Sequence, residues 1–159
     1  MTNRDWLFCF DDCSCNFRTV GVLIKDGKIL VQRDKDGTEY ALPGGHVKIG
    51  ESSELSLIRE YKEETGARIT VDRLIWIEEH FWEWNNKPNH GIAFYYLISL
   101  IGDIDIPDNR EFVSQKDNCN VVLKFLPLAE LKNITIYPSF LTEKVFNISD
   151  NIEYFKIVY

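Results

Sequence analysis

Gly45-His46-Val47-Lys48-Ile49-Gly50-Glu51, the run Ser52 to Ile58, and then Arg59-Glu60-Tyr61-Lys62-Glu63-Glu64-Thr65-Gly66-Ala67 form the most informative stretch of the chain. Ser52 or Ser53 caps a helix predicted over residues 52–65, Glu54 suits its first turn, and Gly66 suits the left-handed residue just past its end. Leu55, Ile58 and Tyr61, with Leu57 beside them, are expected to form its inward face. Glu60, Glu63 and Glu64 fall at i, i+3 and i+4, on one side of that helix. Like charges at that spacing cost a few tenths of a kcal/mol. Anions in the C-terminal half oppose the helix dipole by roughly 0.3–1 kcal/mol each. A hard divalent cation reverses the sign of both penalties, because carboxylate oxygen is the ligand Mg²⁺ or Mn²⁺ prefers. On the glutamates alone, a solvated acidic helix face explains the pattern as well.

Just upstream, Gly44-Gly45 allows close backbone approach, since neither residue carries a side chain. Before that, residues 18–24 and 28–33 are β-rich runs flanking Asp26-Gly27, a short-hairpin signal. Val20, Val22, Leu23, Ile24, Ile29 and Val31 place apolar groups on both faces of these strands, which suits a central position in a sheet. Downstream, residues 69–84 and 91–101 are β-rich and joined by a turn expected over residues 85–89. Residues 103–120 read as a long polar loop and 121–125 as a strand. Pro127 opens a short helix to Leu131 and Pro138 a second to about Phe146, and residues 154–159 form a last strand or a docked tail. Strands and helices are mixed, so the fold class is α/β or α+β, with one domain expected over residues 1–159.

The 159 residues carry 18 basic and 25 acidic side chains, a net charge of −7. That balance argues against broad binding to duplex nucleic acid, which needs a surplus of cations to neutralise phosphates. It leaves open small anionic substrates held through a metal. The most apolar run, residues 92–101, is too short to span a membrane. Residues 1–10 lack the apolar stretch of a signal peptide, so a cytoplasmic protein is expected, with Cys9, Cys13, Cys15 and Cys119 as reduced thiols. No second Cys/His group completes a zinc site, and the triplets at Asn133 and Asn147 are no more than chance glycosylation patterns.

The spacing of the opening stretch resembles the signature of the Nudix hydrolases: Gly45, Glu51, Arg59, Glu60, Glu63, Glu64 and Gly66 fill its invariant positions. At roughly 6% usage per residue type, seven such matches arise by chance about once in a few hundred million positions. Tyr61 and Ala67 stand where the pattern has aliphatic residues. The flanking Gln32-Arg33, Ala41-Leu42-Pro43-Gly44-Gly45-His46 and Phe125-Leu126-Pro127-Leu128 extend the likeness over about residues 18–131. The resemblance implies an α/β/α sandwich with a mixed sheet. It also implies metal-dependent hydrolysis, with Mg²⁺ or Mn²⁺, of a phosphoanhydride in a nucleoside diphosphate linked to another group. The candidates are a nucleotide sugar such as ADP-ribose, a nucleoside triphosphate, and a dinucleoside polyphosphate.

Carried over by position, Glu60, Glu63 and Glu64 are the implied metal carboxylates and the Gly44 carbonyl a further ligand. Arg59 and Glu51 match the ion pair that orients the loop against the helix. The implied general base is Glu60 or Glu63, or outside the motif Glu111 or Asp117. Arg33, Gly45, Phe81 and Trp82, with Trp84 nearby, are candidates for substrate contact; packing of the sheet is the competing explanation for the aromatics. His46 and His90 also sit near the expected site, where an ordinary loop histidine is the commoner case. Relatives of this type often carry His-Glu-Ile where this chain has His90-Gly91-Ile92. The resemblance allows a homodimer, and its alternative functional reading is a catalytically silent nucleotide-binding module. A merely acidic interaction domain fits the full motif poorly.

Overall fold

The computed structural model describes residues 4–102, 106–107, 109–115 and 120–159. The Asp26-Gly27 hairpin forms as expected. It joins β2 (Ser14–Lys25) to β3 (Lys28–Asp34), and both turn residues have positive φ, 51° and 72°. β2 is the axis of a mixed nine-stranded sheet among the described residues. It pairs in parallel with β7 (Lys87–Leu100), which pairs antiparallel with β6 (Ile69–Trp84). β11 (Glu153–Val158) lies parallel to β6, so the end of the chain is a strand. On the other side β3 leads to β9 (Val121–Pro127) and β8 (Phe112–Val113), while β1 (Leu7–Cys9) and β5 (Gly44–His46) also pair with β2. A separate parallel pair joins β4 (Glu39–Tyr40) to β10 (Thr135–Ile136).

Two hydrophobic cores lie on opposite faces of the sheet. Helix α1 (Ser53–Thr65) covers one, inserting Leu57 and Tyr61 among Leu23, Tyr96 and Ile98. The other is covered by a 3₁₀ turn (Leu128–Asn133) and α2 (Leu141–Lys144), whose Leu131 and Leu141 meet Val20, Val22, Trp76 and Tyr95. This is the expected layered α/β arrangement.

Several local expectations need correction. Leu55 and Ile58 do not face inward: they are 60% and 36% exposed, while Leu57 and Tyr61 are fully buried. At 100° per residue Leu55 lies 200° from Leu57. The buried stripe is instead Ser56, Leu57, Glu60, Tyr61, Glu64 and Thr65, so polar groups share the inward face. The turn between β6 and β7 is two residues and not five. Asn85 and Asn86 both adopt left-handed φ, 52° and 59°, which asparagine tolerates, and pairing resumes at Trp84 and Lys87. The segments after Pro127 and Pro138 form only the 3₁₀ turn and the four-residue α2.

Candidate active site

Helix α1 begins and ends as its sequence dictates. Ser52 Oγ accepts from Leu55 N–H at 3.2 Å, and Gly66 closes the helix at φ 74° with its N–H donating to Lys62 O. Tyr61, at an aliphatic position of the motif, is accommodated by a partner glycine. Its hydroxyl donates to Gly21 O at 3.0 Å, and a Cβ on Gly21 would stand 2.5 Å from Tyr61 Cε2. A buried phenol needs such an acceptor, and the missing side chain makes room for the ring.

The helix brings the charged residues of the motif together around one guanidinium. Arg59 Nε donates to Glu51 Oε2 at 3.1 Å, and Arg59 Nη1 lies 2.7 Å from Glu60 Oε1 and 3.4 Å from Glu63 Oε2. Ser56 Oγ donates to the same Glu51 oxygen at 2.8 Å and itself accepts from the Lys48 N–H at 3.3 Å. The loop is thereby tied to the first turns of the helix. Burial pushes the Glu51 carboxyl up, but the hydrogen bonds from Ser56 and Arg59 and the charges of Arg59 and Lys48 outweigh it. Its pKa therefore ends below the ordinary 4.5. Burial pulls Arg59 down, and the carboxylates of Glu60 and Glu51 more than restore it, so the guanidinium stays charged.

Glu60 and Glu64 are 3% and 8% exposed, and the Glu63 side chain 39%. Glycine is required next to them. A Cβ on Gly45 would overlap the Glu60 carboxyl carbon at 2.3 Å, and one on Gly44 would meet Thr19 O at 2.1 Å. The two glycines thus seat β5 against β2 and make space for a buried carboxylate. Carboxylates and a backbone carbonyl are the donor types that a hard dication takes. As the side chains stand, no group of three His, Cys, Asp or Glu among the described residues is gathered around a common point, and Arg59 supplies the positive charge between Glu60 and Glu63.

The residues expected outside the motif are dispersed. Arg33 and Glu111 are each other's partner: Nη2 lies 3.0 Å from both Glu111 oxygens, and Arg33 Nη1 donates to the carbonyls of Asp34, Lys35 and Gly37. This arginine closes the turn after β3. Phe81 and Trp82 point to opposite faces of β6. Phe81 stacks on His90 with ring centroids 4.2 Å apart, and His90 Nε2 lies 2.9 Å from Glu79 Oε1. Asp117 and Cys119 lie outside the described residues.

Trp82 lines a cavity of about 610 Å³ on the sheet face opposite α1, together with Arg18, Glu78, His80, Tyr95 and Leu42. Leu42 is two residues from Gly44, so the cavity wall runs directly into the glycine strand. The buried Glu78 accepts from Tyr95 Oη at 2.5 Å and from Tyr159 Oη at 3.4 Å. Burial and then the Glu78 charge push the Tyr95 phenol well above its ordinary value, so it remains the donor. The Arg18 guanidinium is the cavity's cation, and its charge acts on the Tyr95 phenol. The expected site residues did not include Arg18, Glu78, His80 or Tyr95. One signal was available: charged and polar residues on strands whose neighbours are apolar rarely face a core without a purpose.

The NUDIX domain model matches residues 16–141. The chain belongs to the Nudix family. An ADP-ribose pyrophosphatase of Methanocaldococcus jannaschii is 35% identical over 85 residues, 52% of this chain and 49% of that protein. A MutT-like protein of Streptomyces ambofaciens is 42% identical over 55 residues, 34% and 36% of the two chains. The chain thus spans about half or less of the curated relatives it matches. Among solved structures, the mutator MutT protein of Bacillus halodurans superposes with a TM-score of 0.66 at 20% identity, covering 91% of this chain and 90% of that one. An ADP-ribose pyrophosphatase of Streptococcus suis gives 0.56 at 19%, covering 89% and 98%. These likenesses establish the Nudix fold. No helix among the described residues is long and apolar enough to cross a membrane.

Proposed function

We propose that this Nudix protein hydrolyses a phosphoanhydride bond in a nucleoside diphosphate linked to another group, using Mg²⁺ or Mn²⁺. The observation that carries the reading is the array on α1, where Glu60, Glu63 and Glu64 share one helix edge and the Glu60 carboxylate packs against side-chain-free Gly45. Carboxylates so placed oppose the helix dipole and one another, and a dication is what makes the arrangement favourable. Glu60, Glu63 and Glu64, with the Gly44 carbonyl, are the groups that would hold it. When bound, the metal supplies charge neutralisation for the diphosphate and makes water more acidic.

The chain's own residues do the remaining work. Glu51, fixed by Ser56 and Arg59, keeps the loop in register with the helix. Glu63, the most exposed of the three glutamates, is the residue we assign to accept the proton of the attacking water, with Glu60 as the other candidate. The cavity on the opposite face continues into Leu42 and Gly44, which suits a substrate whose nucleoside enters the cavity while its phosphates follow the glycine strand towards α1. Relatives named as ADP-ribose pyrophosphatases and MutT proteins support nucleotide sugars and nucleoside triphosphates as the first classes to try. A cytoplasmic protein, acting as a monomer or homodimer, accords with this chemistry.

One observation favours a second reading. Arg59 already bridges Glu60 and Glu63, as a nucleotide-binding module that has no need of metal could use it. The separating experiment incubates the purified chain with nucleotide sugars, nucleoside triphosphates and dinucleoside polyphosphates in Mg²⁺ or Mn²⁺, and resolves products by chromatography. Turnover abolished by chelator, by Glu63→Gln and by Glu64→Gln is expected. Turnover indifferent to all three would overturn the assignment, and nucleotide binding without turnover would favour the silent module.

A further inference from the structure

Gly91 stands where relatives often carry glutamate, and the structure shows what takes its space. A Cβ at residue 91 would lie 2.2 Å from His80 Nε2 and 2.8 Å from Asn16 Oδ1. Both polar atoms therefore converge over the glycine, and any side chain there would evict them. The strand pairing produces this meeting: Gly91 is opposite His80 across β6 and opposite Asn16 across β2. Asn16 and His80 line the 610 Å³ cavity, where His80 is 8% exposed, and Gly91 lies behind them in the sheet.

The polar inventory of that cavity is lopsided. Asn16 Oδ1 is buried and has no hydrogen-bond partner among the described residues. Glu78, 3% exposed, offers only acceptor oxygens, and Tyr95 and Tyr159 fill part of that capacity. His80 Nδ1 lies 3.3 Å from Glu78 Oε1 without the alignment of a hydrogen bond. Glu39, Glu78 and Glu83 line the cavity against the single guanidinium of Arg18, so it is unsuited to a phosphate. The rings of His80 and Trp82, 5.0 Å apart at 39°, offer flat apolar faces beside these acceptors.

We propose that this cavity is a nucleobase site that prefers bases bearing an exocyclic amino group, with Asn16 Oδ1 and the Glu78 carboxylate accepting the N–H and Trp82 contacting the ring. An unpaired buried acceptor costs free energy that a ligand N–H relieves and a ligand carbonyl makes worse. A base with an oxo group in the same place sets its oxygen against the Glu78 carboxylate, which has no N–H to answer it. The inference deepens the hydrolase reading, naming the class of nucleoside, and it rests on that reading for the placement of the phosphates. His80 is a positioning residue, holding the floor that Gly91 leaves open.

The test is equilibrium binding of mononucleotides to the full chain in chelator, by calorimetry and by quenching of tryptophan fluorescence. AMP is compared with IMP, and CMP with UMP, because each pair differs chiefly in an amino group replaced by an oxo group. The amino member is expected to bind about tenfold or more tightly. Asn16→Ala should shrink that ratio to about twofold, and Asn16→Asp, which keeps an acceptor, should retain it. Trp82→Ala should weaken all four nucleotides together. Equal binding within the wild-type pairs, an undiminished preference in Asn16→Ala, or no saturable binding at ~10 mM would each overturn the proposal. Chelator-sensitive turnover without base preference would sink this inference and leave the hydrolase standing. Base preference without turnover would do the reverse.

Discussion

Tyr61 and Gly21 share one space beneath the helix that carries the motif, and a double-mutant cycle measures that sharing. Tyr61 is fully buried, and its ring occupies the volume a side chain at residue 21 would need. In Gly21→Ala the new methyl must sit 2.5 Å from Tyr61 Cε2, 2.6 Å from its hydroxyl and 2.8 Å from Ile98 Cδ1. Overpacking of that kind costs about 1–3 kcal/mol. Tyr61→Leu restores the aliphatic residue of the motif but leaves a gap over Gly21 and removes the 3.0 Å hydrogen bond to its carbonyl. Cavity and lost contact together cost about 2–3 kcal/mol. In the double variant the methyl enters the space the ring vacated, so the two costs overlap. The contact with Ile98 persists, which keeps the recovery partial. The combined loss should be about 2–3 kcal/mol against a sum of about 4–5, a coupling near 2 kcal/mol. Urea unfolding followed by circular dichroism reads all three, and each single variant should lower Tm by roughly 4–10 °C. Tyr61→Phe isolates the hydroxyl and should cost about 1 kcal/mol. Additivity of the two main substitutions within about 0.5 kcal/mol would refute the claim that they fill one space.

Three other outcomes are expected. Arg59→Lys should lower stability and activity together, because one ammonium cannot hold Glu51, Glu60 and Glu63 at once; removing partners from a carboxylate as buried as Glu60 costs about 3–5 kcal/mol, and an unchanged Tm would count against that role. The folded state holds Glu51 below its ordinary pKa of 4.5, so its contribution is complete above that value and is lost as pH falls through the lower folded-state value. Glu51→Gln should therefore flatten the acid side of the stability profile, and an identical acid limb in wild type and variant would contradict the linkage. Trp82→Ala should raise KM for a turned-over nucleotide about five- to a hundredfold while Phe81→Ala changes it less than twofold, since only Trp82 reaches the cavity.

The elements legible in the sequence are those whose signals are local. Ser52 and Gly66 bracket α1 because a cap and a left-handed residue act over one turn. Asp26-Gly27 sets its hairpin for the same reason. Which face of α1 is buried was not local. Leu55 and Ile58 are as apolar as Leu57, and only the sheet beneath, with Gly21 admitting Tyr61, decides that the stripe through Glu60 and Glu64 turns inward. Arg33 and Glu111, 78 residues apart, read separately as a substrate contact and a base, and the structure joins them to each other.

The same distinction separates the two halves of the candidate site. The seven residues of the motif follow one another from β5 through the loop and α1 to its cap, so their relative placement depends largely on 3.6-residue periodicity and one ion-paired arginine. The cavity is assembled instead by register between three strands, where Asn16, Glu78, His80 and Tyr95 come from positions with no sequence relation. A one-residue shift in either pairing would turn those side chains to the other face. A local motif can therefore stay constant while residues on distant strands change the cavity one at a time. Gly91 acts at that level: the space its missing side chain leaves is taken by His80 Nε2 and Asn16 Oδ1, and no residue of the motif is involved.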